Sequence, residues 1–171
     1  MKNKLQLIVA SLTILLVCGC KEVAKVSNTD VKPINQQQLL NNPFAFAESI
    51  NEFQANMPHG TRVQKMTIKN DRSVNAPDTI YRFAYKKSEV LMFRNTKNRE
   101  QLLAANIVNK EIVLTNGIRV GLTREELAQH LEIPVNTTKD TLLVKVAEIP
   151  RTMWLYFSKN KLKQVKFSVS K

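Results

Sequence analysis

The chain has little of what most enzymes and cofactor-binding proteins are built on. Only 4 of its 171 residues are glycine, so neither a glycine-rich phosphate loop nor a collagen-like tract is available. Cysteine occurs twice, at Cys18 and Cys20. From Lys21 onward there is no thiol, and therefore no disulfide, no thiolate metal site and no cysteine nucleophile. The two histidines, His59 and His130, have no second ligand at metal-binding spacing. The patterns Gly-x-Ser-x-Gly and His-Glu-x-x-His are both missing. No catalytic residue, metal ligand or cofactor is expected. Acids are also scarce, 14 against 26 lysines and arginines, for a net charge of +12.

What is present begins at the N-terminus. Lys2 and Lys4 form a basic start, and residues 5–17 follow without a charge, rich in Leu, Ile and Val. As a helix that run spans about 20 Å, short of the ~30 Å of hydrocarbon in a bilayer. A basic start, a short apolar run and a small residue before a cleavage point mark a secretion signal. A buried core helix fits poorly, because no polar face alternates with the apolar residues.

The residues Leu16-Val17-Cys18-Gly19-Cys20 resemble the lipobox of bacterial lipoproteins. Val17 fills the aliphatic position, Gly19 the small position before the cut, and Cys20 the modified cysteine. Cys18 stands where alanine or serine is more usual. The resemblance implies cleavage between Gly19 and Cys20, with lipid (a diacylglyceryl group and a further acyl chain such as palmitate) attached at Cys20. One chain holds a protein to a membrane marginally, two or three firmly, at about 0.8 kcal/mol per buried CH₂. Lys21 is not the aspartate of inner-membrane retention, so the resemblance favours the outer membrane. The expected organisation is a signal over 1–19, a lipidated cysteine and flexible tether over 20–38, and a globular domain over 39–171. The tether would reach roughly 25 Å root-mean-square.

In the domain, Asn42 and Pro43 suit a helix start, and Phe46, Ile50, Phe53 and Met57 lie on one stripe. A helix is expected over 43–56, stopped by Pro58-His59-Gly60. Strands are expected over 62–69, 80–85 and 89–94. Val63, Met66 and Ile68 alternate imperfectly. Tyr81, Phe83 and Tyr85 share one face, and Leu91 and Phe93 share one. Lys86-Lys87-Ser88 is the turn between the last two strands. A further strand pair is expected over 102–108 and 111–114.

The second half opens on Leu122-Thr123-Arg124-Glu125-Glu126-Leu127. Thr123 and Glu126 are spaced to cap each other's free backbone N–H groups, with Leu122 and Leu127 in the flanking apolar positions. Strands are expected over 141–147, 153–157 and 162–169, with Ser158-Lys159-Asn160-Lys161 turning between the last two. Val165, Phe167 and Val169 share a face, with Lys166 opposite. The class is α+β: antiparallel sheet with short helices packed on one face. Helix followed by three strands occurs in both halves, 39–115 and 116–171, which makes a duplicated helix-plus-three-strand unit an expectation.

The stretch Asn116-Gly117-Ile118-Arg119-Val120-Gly121-Leu122-Thr123, with Glu126 and Leu127, resembles the helix entry of BamE-like outer-membrane lipoproteins and of β-lactamase-inhibitor-like domains. Phe157-Ser158-Lys159-Asn160-Lys161-Leu162 resembles their closing hairpin. The likeness covers 117–171; the first half has no such motif. It implies a protein-binding or scaffolding lipoprotein without catalysis, and transfers no partner and no binding residue.

Basic residues gather in two places. Lys159, Lys161, Lys163, Lys166 and Lys171 lie in and after the last hairpin; Lys86, Lys87, Arg94, Lys97 and Arg99 decorate the first. They form a candidate anion-binding face for acidic head groups or glycan phosphates, against the plainer role of lysines that keep strand edges from pairing. Nucleic acid is not expected for an exported protein. His130 and Glu126, four apart on a helix, are read as a surface pair of no consequence. The expected function is non-catalytic protein binding at the envelope with an unidentified envelope partner. The alternatives are an anionic lipid or glycan binder acting through the lysine-rich hairpins and, third, an envelope hydrolase.

Overall fold

The computed structural model describes residues 32–69, 77–134 and 138–169. The signal, Gly19, Cys20, most of the expected tether and Lys171 lie outside the described residues.

The chain runs α1 (Gln36–Asn41), α2 (Ile50–Asn56), β1 (Arg62–Ile68), β2 (Asp78–Tyr85), β3 (Ser88–Arg94), β4 (Glu100–Ile107), a 3₁₀ turn (Thr115–Gly117), α3 (Arg124–His130), β5 (Thr141–Lys145), β6 (Arg151–Ser158) and β7 (Lys161–Val169). All seven strands belong to one antiparallel sheet, in the order β1-β2-β3-β4-β7-β6-β5. It consists of two meanders joined where β4 meets β7, with Ala105 opposite Phe167 and Ile107 opposite Val165. The α+β class holds.

One face of the sheet is closed. Tyr81, Phe83, Val90, Met92, Leu102, Ala105, Ile107, Val144, Met153, Leu155, Phe157, Leu162, Val165 and Phe167 form a single core with Leu39, Leu40, Ile50, Phe53, Leu127 and Leu131 from the helices. Burying each large apolar side chain is worth about 1.5–3 kcal/mol. The helices contribute one cluster to one side, which is why period-two strands and short amphipathic helices coexist in the sequence.

Both meanders are bulged at their last hairpin. Leu91 faces Ala104 and Met92 faces Leu102, which leaves Leu103 as the extra residue. Tyr156 faces Gln164 and Phe157 faces Leu162, which leaves Lys163 as the extra one. A bulge puts residues three apart on the same face. Leu102 and Ala105 are therefore both in the core, and so are Leu162 and Val165.

Several boundaries differ from expectation. The first half has four strands, not three plus a pair: β4 runs Glu100–Ile107, and residues 111–114 form no strand. Leu114 instead makes an isolated bridge to Phe44. Helix α1 begins inside the stretch expected to be tether. Asn35 and Gln38 cap each other there, and Leu39 and Leu40 are fully buried. The helix expected over 43–56 is confined to Ile50–Asn56, with Ser49 rather than Asn42 as its N-cap. Tertiary packing holds 43–49 out of helix. Phe44 and Phe46 pack edge-to-face with Phe53 at 4.8 and 4.9 Å between ring centres, and Glu48 reaches down to Arg151. Helix α3 follows expectation, with the Thr123–Glu126 capping box present. The last hairpin turns through Lys159 and Asn160, both at positive φ, the two-residue turn whose twist matches the strands.

Candidate functional site

The other face of the sheet is not covered by any described element. Its composition follows from the strand registers. In β3 the core takes Val90 and Met92, so Leu91 and Phe93, correctly expected to share a face, point the opposite way and are half-buried. In β6 the core takes Met153, Leu155 and Phe157, so Trp154 and Tyr156 lie on the open side. Leu143 of β5 stands opposite Trp154 and is 52% exposed.

Small residues pave the middle. Leu91 faces Ala104, Ala104 faces Ser168, and Ser168 faces Thr152. In the next row Glu89 faces Asn106, Asn106 faces Lys166, and Lys166 faces Trp154. The result is a shallow, mostly apolar depression of about 220 Å³, walled by Leu91 and Trp154 and floored by Ala104 and Ser168. That is below the ~300 Å³ at which small-molecule sites begin, and suits a single protruding side chain.

Polar groups frame it without converging on a point. Arg82 Nε donates to Glu89 at 2.7 Å, and its Nη1 donates to Gln64. Gln164 donates to Asn106 at 2.6 Å. Lys166 Nζ stands 5.5 Å over the Tyr156 ring. Lys145, Lys161 and Lys166 all take strand positions on this face, and Lys163 is the exposed bulge residue beside them. The acids on this side are Glu89, already paired with Arg82, and Asp78, whose carboxylate accepts from Thr96 N–H.

The lysines singled out in the sequence divide accordingly. Lys161 and Lys166 share the open face, and Lys163 joins them through the bulge. Lys159 sits in the turn, whose neighbour Asn160 donates to the Glu125 carboxylate at 2.9 Å. That contact, the Glu125 backbone N–H first and the Asn160 amide second, holds the Glu125 carboxyl below its ordinary range. In the first hairpin the basic group is partly neutralised. Arg94 pairs with Glu100 and with the Tyr81 hydroxyl on the core side. Lys86 pairs with Glu111 at 2.9 Å, which raises the lysine and lowers the carboxyl.

His130 and Glu126 do not form the surface pair expected of them. Glu126 accepts from the Thr123 backbone N–H at 2.7 Å. His130 Nδ1 lies 2.6 Å from the Asn116 carbonyl, so that nitrogen carries the proton. His59 lines a cavity of about 450 Å³ between the end of α2 and β1, together with Met57, Pro58, Val63 and Phe83. Among the described residues no group of three or more His, Asp or Glu side chains could hold a metal ion.

Trp154, Tyr156, Leu91 and Phe93 are the residues that sequence reasoning passed over. The signal was available: Met153-Trp154-Leu155-Tyr156-Phe157 is apolar without alternation, which means that both faces of the strand are apolar. No family model, no curated protein and no solved structure matches this chain.

Proposed function

We propose that the chain is an envelope lipoprotein, lipidated at Cys20, whose folded part is a non-catalytic docking module for another envelope protein. The observation that carries the docking role is the open face of the sheet. Leu91, Phe93, Trp154, Tyr156 and Leu143 lie on the side that no described helix covers. Apolar and aromatic groups gathered on an exposed face, rimmed by polar ones, have the anatomy of a protein interface. Trp and Tyr are the side chains that most often dominate such contacts. The rim is cationic through Lys145, Lys161, Lys163 and Lys166, so the matching partner presents an apolar knob ringed by acids.

The expected helix-plus-three-strand unit describes the second half only, because α2 is followed by four strands; the same reading treats β2-β3-β4 as the counterpart of β5-β6-β7, with β1 an addition to the first copy. Its support is the bulge at corresponding places, Leu103 and Lys163, and the side-chain-capped helices α2 and α3. Each of these buries its first residue, its fourth and its C-cap: Ile50, Phe53 and Met57 in one, Arg124, Leu127 and Leu131 in the other. The lipid anchor rests on the residues around Cys20. The BamE-like resemblance adds only that a scaffolding role is in keeping.

The test is crosslinking in intact cells with a photoreactive residue at Trp154 or Leu91, compared with one at Gln37 on the helical side. Envelope proteins recovered from the sheet positions alone support the reading; equal or no recovery ends it. Palmitate labelling that survives Cys20→Ala would remove the anchor.

A second reading has its own observation. Lys161, Lys163 and Lys166 are all exposed along one strand, β7, as an anionic lipid or glycan binder needs. Salt-sensitive binding to anionic vesicles, lost in Lys161→Glu with Lys163→Glu, would favour it.

A further inference from the structure

The first strand of the sheet has been left open. Strand β1 lies at the edge, and all seven of its residues are exposed. Its pairing with β2 runs without a shift from Arg62 opposite Ala84 to Ile68 opposite Asp78. Edges of this kind are normally blunted by charged side chains, a bulge, a proline or a covering loop, and β1 has only the first of these, in Arg62 and Lys65. The sequence Arg62-Val63-Gln64-Lys65-Met66-Thr67-Ile68 contains no proline, the ladder contains no bulge, and no described element pairs with the outer side. Alternate residues of β1 therefore turn an N–H and a C=O outward.

Among the polar side chains of β1, Arg62, Gln64, Lys65 and Thr67, stand three apolar ones. Val63, Met66 and Ile68 are 39%, 44% and 41% exposed. Val63 faces the core side next to Phe83 and forms one wall of the roughly 450 Å³ cavity that α2 leaves uncovered. Met66 and Ile68 lie on the open side. The charges are all of one sign: Arg62 and Lys65, with Lys69 just beyond. Among the described residues no ion pair includes any of the three. Lys65 Nζ rests 5.4 Å over the Tyr81 ring.

We infer that β1 is a strand-addition site for an extended, acidic segment of another protein. A second copy of this chain is the competing occupant, and charge decides against it. Each copy brings Arg62 and Lys65 along β1, Lys69 just beyond it and no acid, so two such edges repel. Pairing centred on Lys65 or on Arg62 sets like charges directly opposite, which destabilises a ladder. Lys65 thus guards the edge against self-pairing while attracting an acidic strand.

Register then specifies the sequence that fits. Acids belong opposite Arg62 and Lys65, an aliphatic residue opposite Val63 to reach the cavity, and aliphatic residues opposite Met66 and Ile68. Antiparallel pairing, as throughout this sheet, gives Val-Thr-Val-Glu-Thr-Val-Glu from N- to C-terminus. This site is distinct from the depression between Leu91 and Trp154 and from the lipid anchor, although Met66 continues the open-face row through Ile80 to Phe93.

The experiment uses that peptide with blocked ends, titrated calorimetrically into the chain with hydrogen exchange as the locator. Binding is expected to slow exchange along Arg62–Ile68. Replacing both glutamates by lysine is expected to weaken binding by at least about tenfold, or 1.4 kcal/mol. Arg62→Glu with Lys65→Glu is expected to reverse that preference. N-methylation of alternate peptide residues is the test of backbone pairing. Methylating the set that faces β1 should abolish binding, and methylating the other set should leave it within about threefold. No binding, protection located elsewhere, or equal tolerance of both methylation patterns overturns the inference. The methylated peptides act on the unaltered chain, so the result stands even if the charge-reversed variant folds poorly.

Discussion

Arg151 and Glu48 grip each other through two hydrogen bonds, Nη1 to Oε1 at 2.5 Å and Nη2 to Oε2 at 2.9 Å, from positions 103 residues apart. The pair ties the segment before α2 to the first residue of β6, in the other half of the chain. Arg151 also donates to the carbonyls of Leu40 and Asn41 at the end of α1, and Glu48 accepts from Leu102 N–H in β4. One ion pair thereby holds the helical layer to the sheet on both sides of the β4–β7 seam.

Removing one partner strands the other. The side chains are 16% and 19% exposed, so the loss falls short of the fully buried case. Glu48→Ala is expected to destabilise the fold by about 2–3 kcal/mol, and Arg151→Met with Glu48→Leu by less than either single change. Urea denaturation of the three variants measures both, and a strictly additive double variant would contradict the coupling.

The two faces of the sheet should answer differently to truncation. Phe83→Ala is expected to cost ~3–5 kcal/mol because it opens a hole in a closed core. Trp154→Ala is expected to cost only about 1 kcal/mol while removing most partner capture. Trp154 is the single tryptophan. Its fluorescence should therefore shift to the blue when the face is covered, and an unchanged emission on partner binding would place the contact elsewhere.

The bulge at Lys163 has a directional consequence. Deleting Lys163 leaves a straight strand in which Leu162 and Val165 are two apart and adjacent residues cannot compensate. The deletion should keep both on one face and keep Phe157 opposite Leu162, but it removes the local twist of the bulge and so swings the Lys159–Asn160 turn away from Arg124 N–H and the Glu125 carboxylate, to which Asn160 is bonded. Loss of those end contacts is expected to cost about 1–2 kcal/mol. Lys163→Ala, which keeps the bulge, should cost under about 0.5 kcal/mol. Thermal unfolding distinguishes the two, and equal losses would deny the bulge this role.

Helix α3 depends on its cap. Thr123→Ala should cost about 1 kcal/mol, and Thr123→Ser much less. The two variants compared by chemical denaturation isolate the hydroxyl's bond to Glu126 N–H.

Stability should fall at both ends of the pH scale for identifiable reasons. Glu125 and Glu111 have carboxyls lowered in the fold. Their contribution is present above the ordinary carboxylate value, about 4.3, and is lost as pH falls through the lower folded value. Lys86 is raised by Glu111. Its contribution is present below the ordinary lysine value, about 10.4, and is lost as pH rises through the higher folded value. Glu111→Gln should flatten both limbs and Glu125→Gln only the acid one, as read from melting temperature against pH.

Sequence reasoning succeeded where the determining interactions are local. Thr123 and Glu126 cap α3 from three residues apart, and Lys159-Asn160 forms its own turn. Tyr81 and Phe83 alternate as a half-covered strand must. It failed where residues far apart decide. Asn42 and Pro43 read as a helix start, but Phe44 is drawn onto Phe53 and Leu114, and Glu48 onto Arg151, so the helix begins at Ser49. Asn35 and Gln38 cap α1 by the same rule as Thr123 and Glu126, yet without an apolar stripe long enough to be seen.

By itself the sequence determined the class, the sense of the strands, the Thr123–Glu126 cap of α3 and the resemblance around Cys20, because each depends on spacing within a few residues. Tertiary structure alone decided that both meanders join edge to edge at β4 and β7, that Leu91 and Trp154 wall opposite sides of one depression on the open face, and that no described element pairs with the outer side of β1. Those outcomes follow from strand order and register, which are set by competition among distant pairings and leave no mark at short range along the chain.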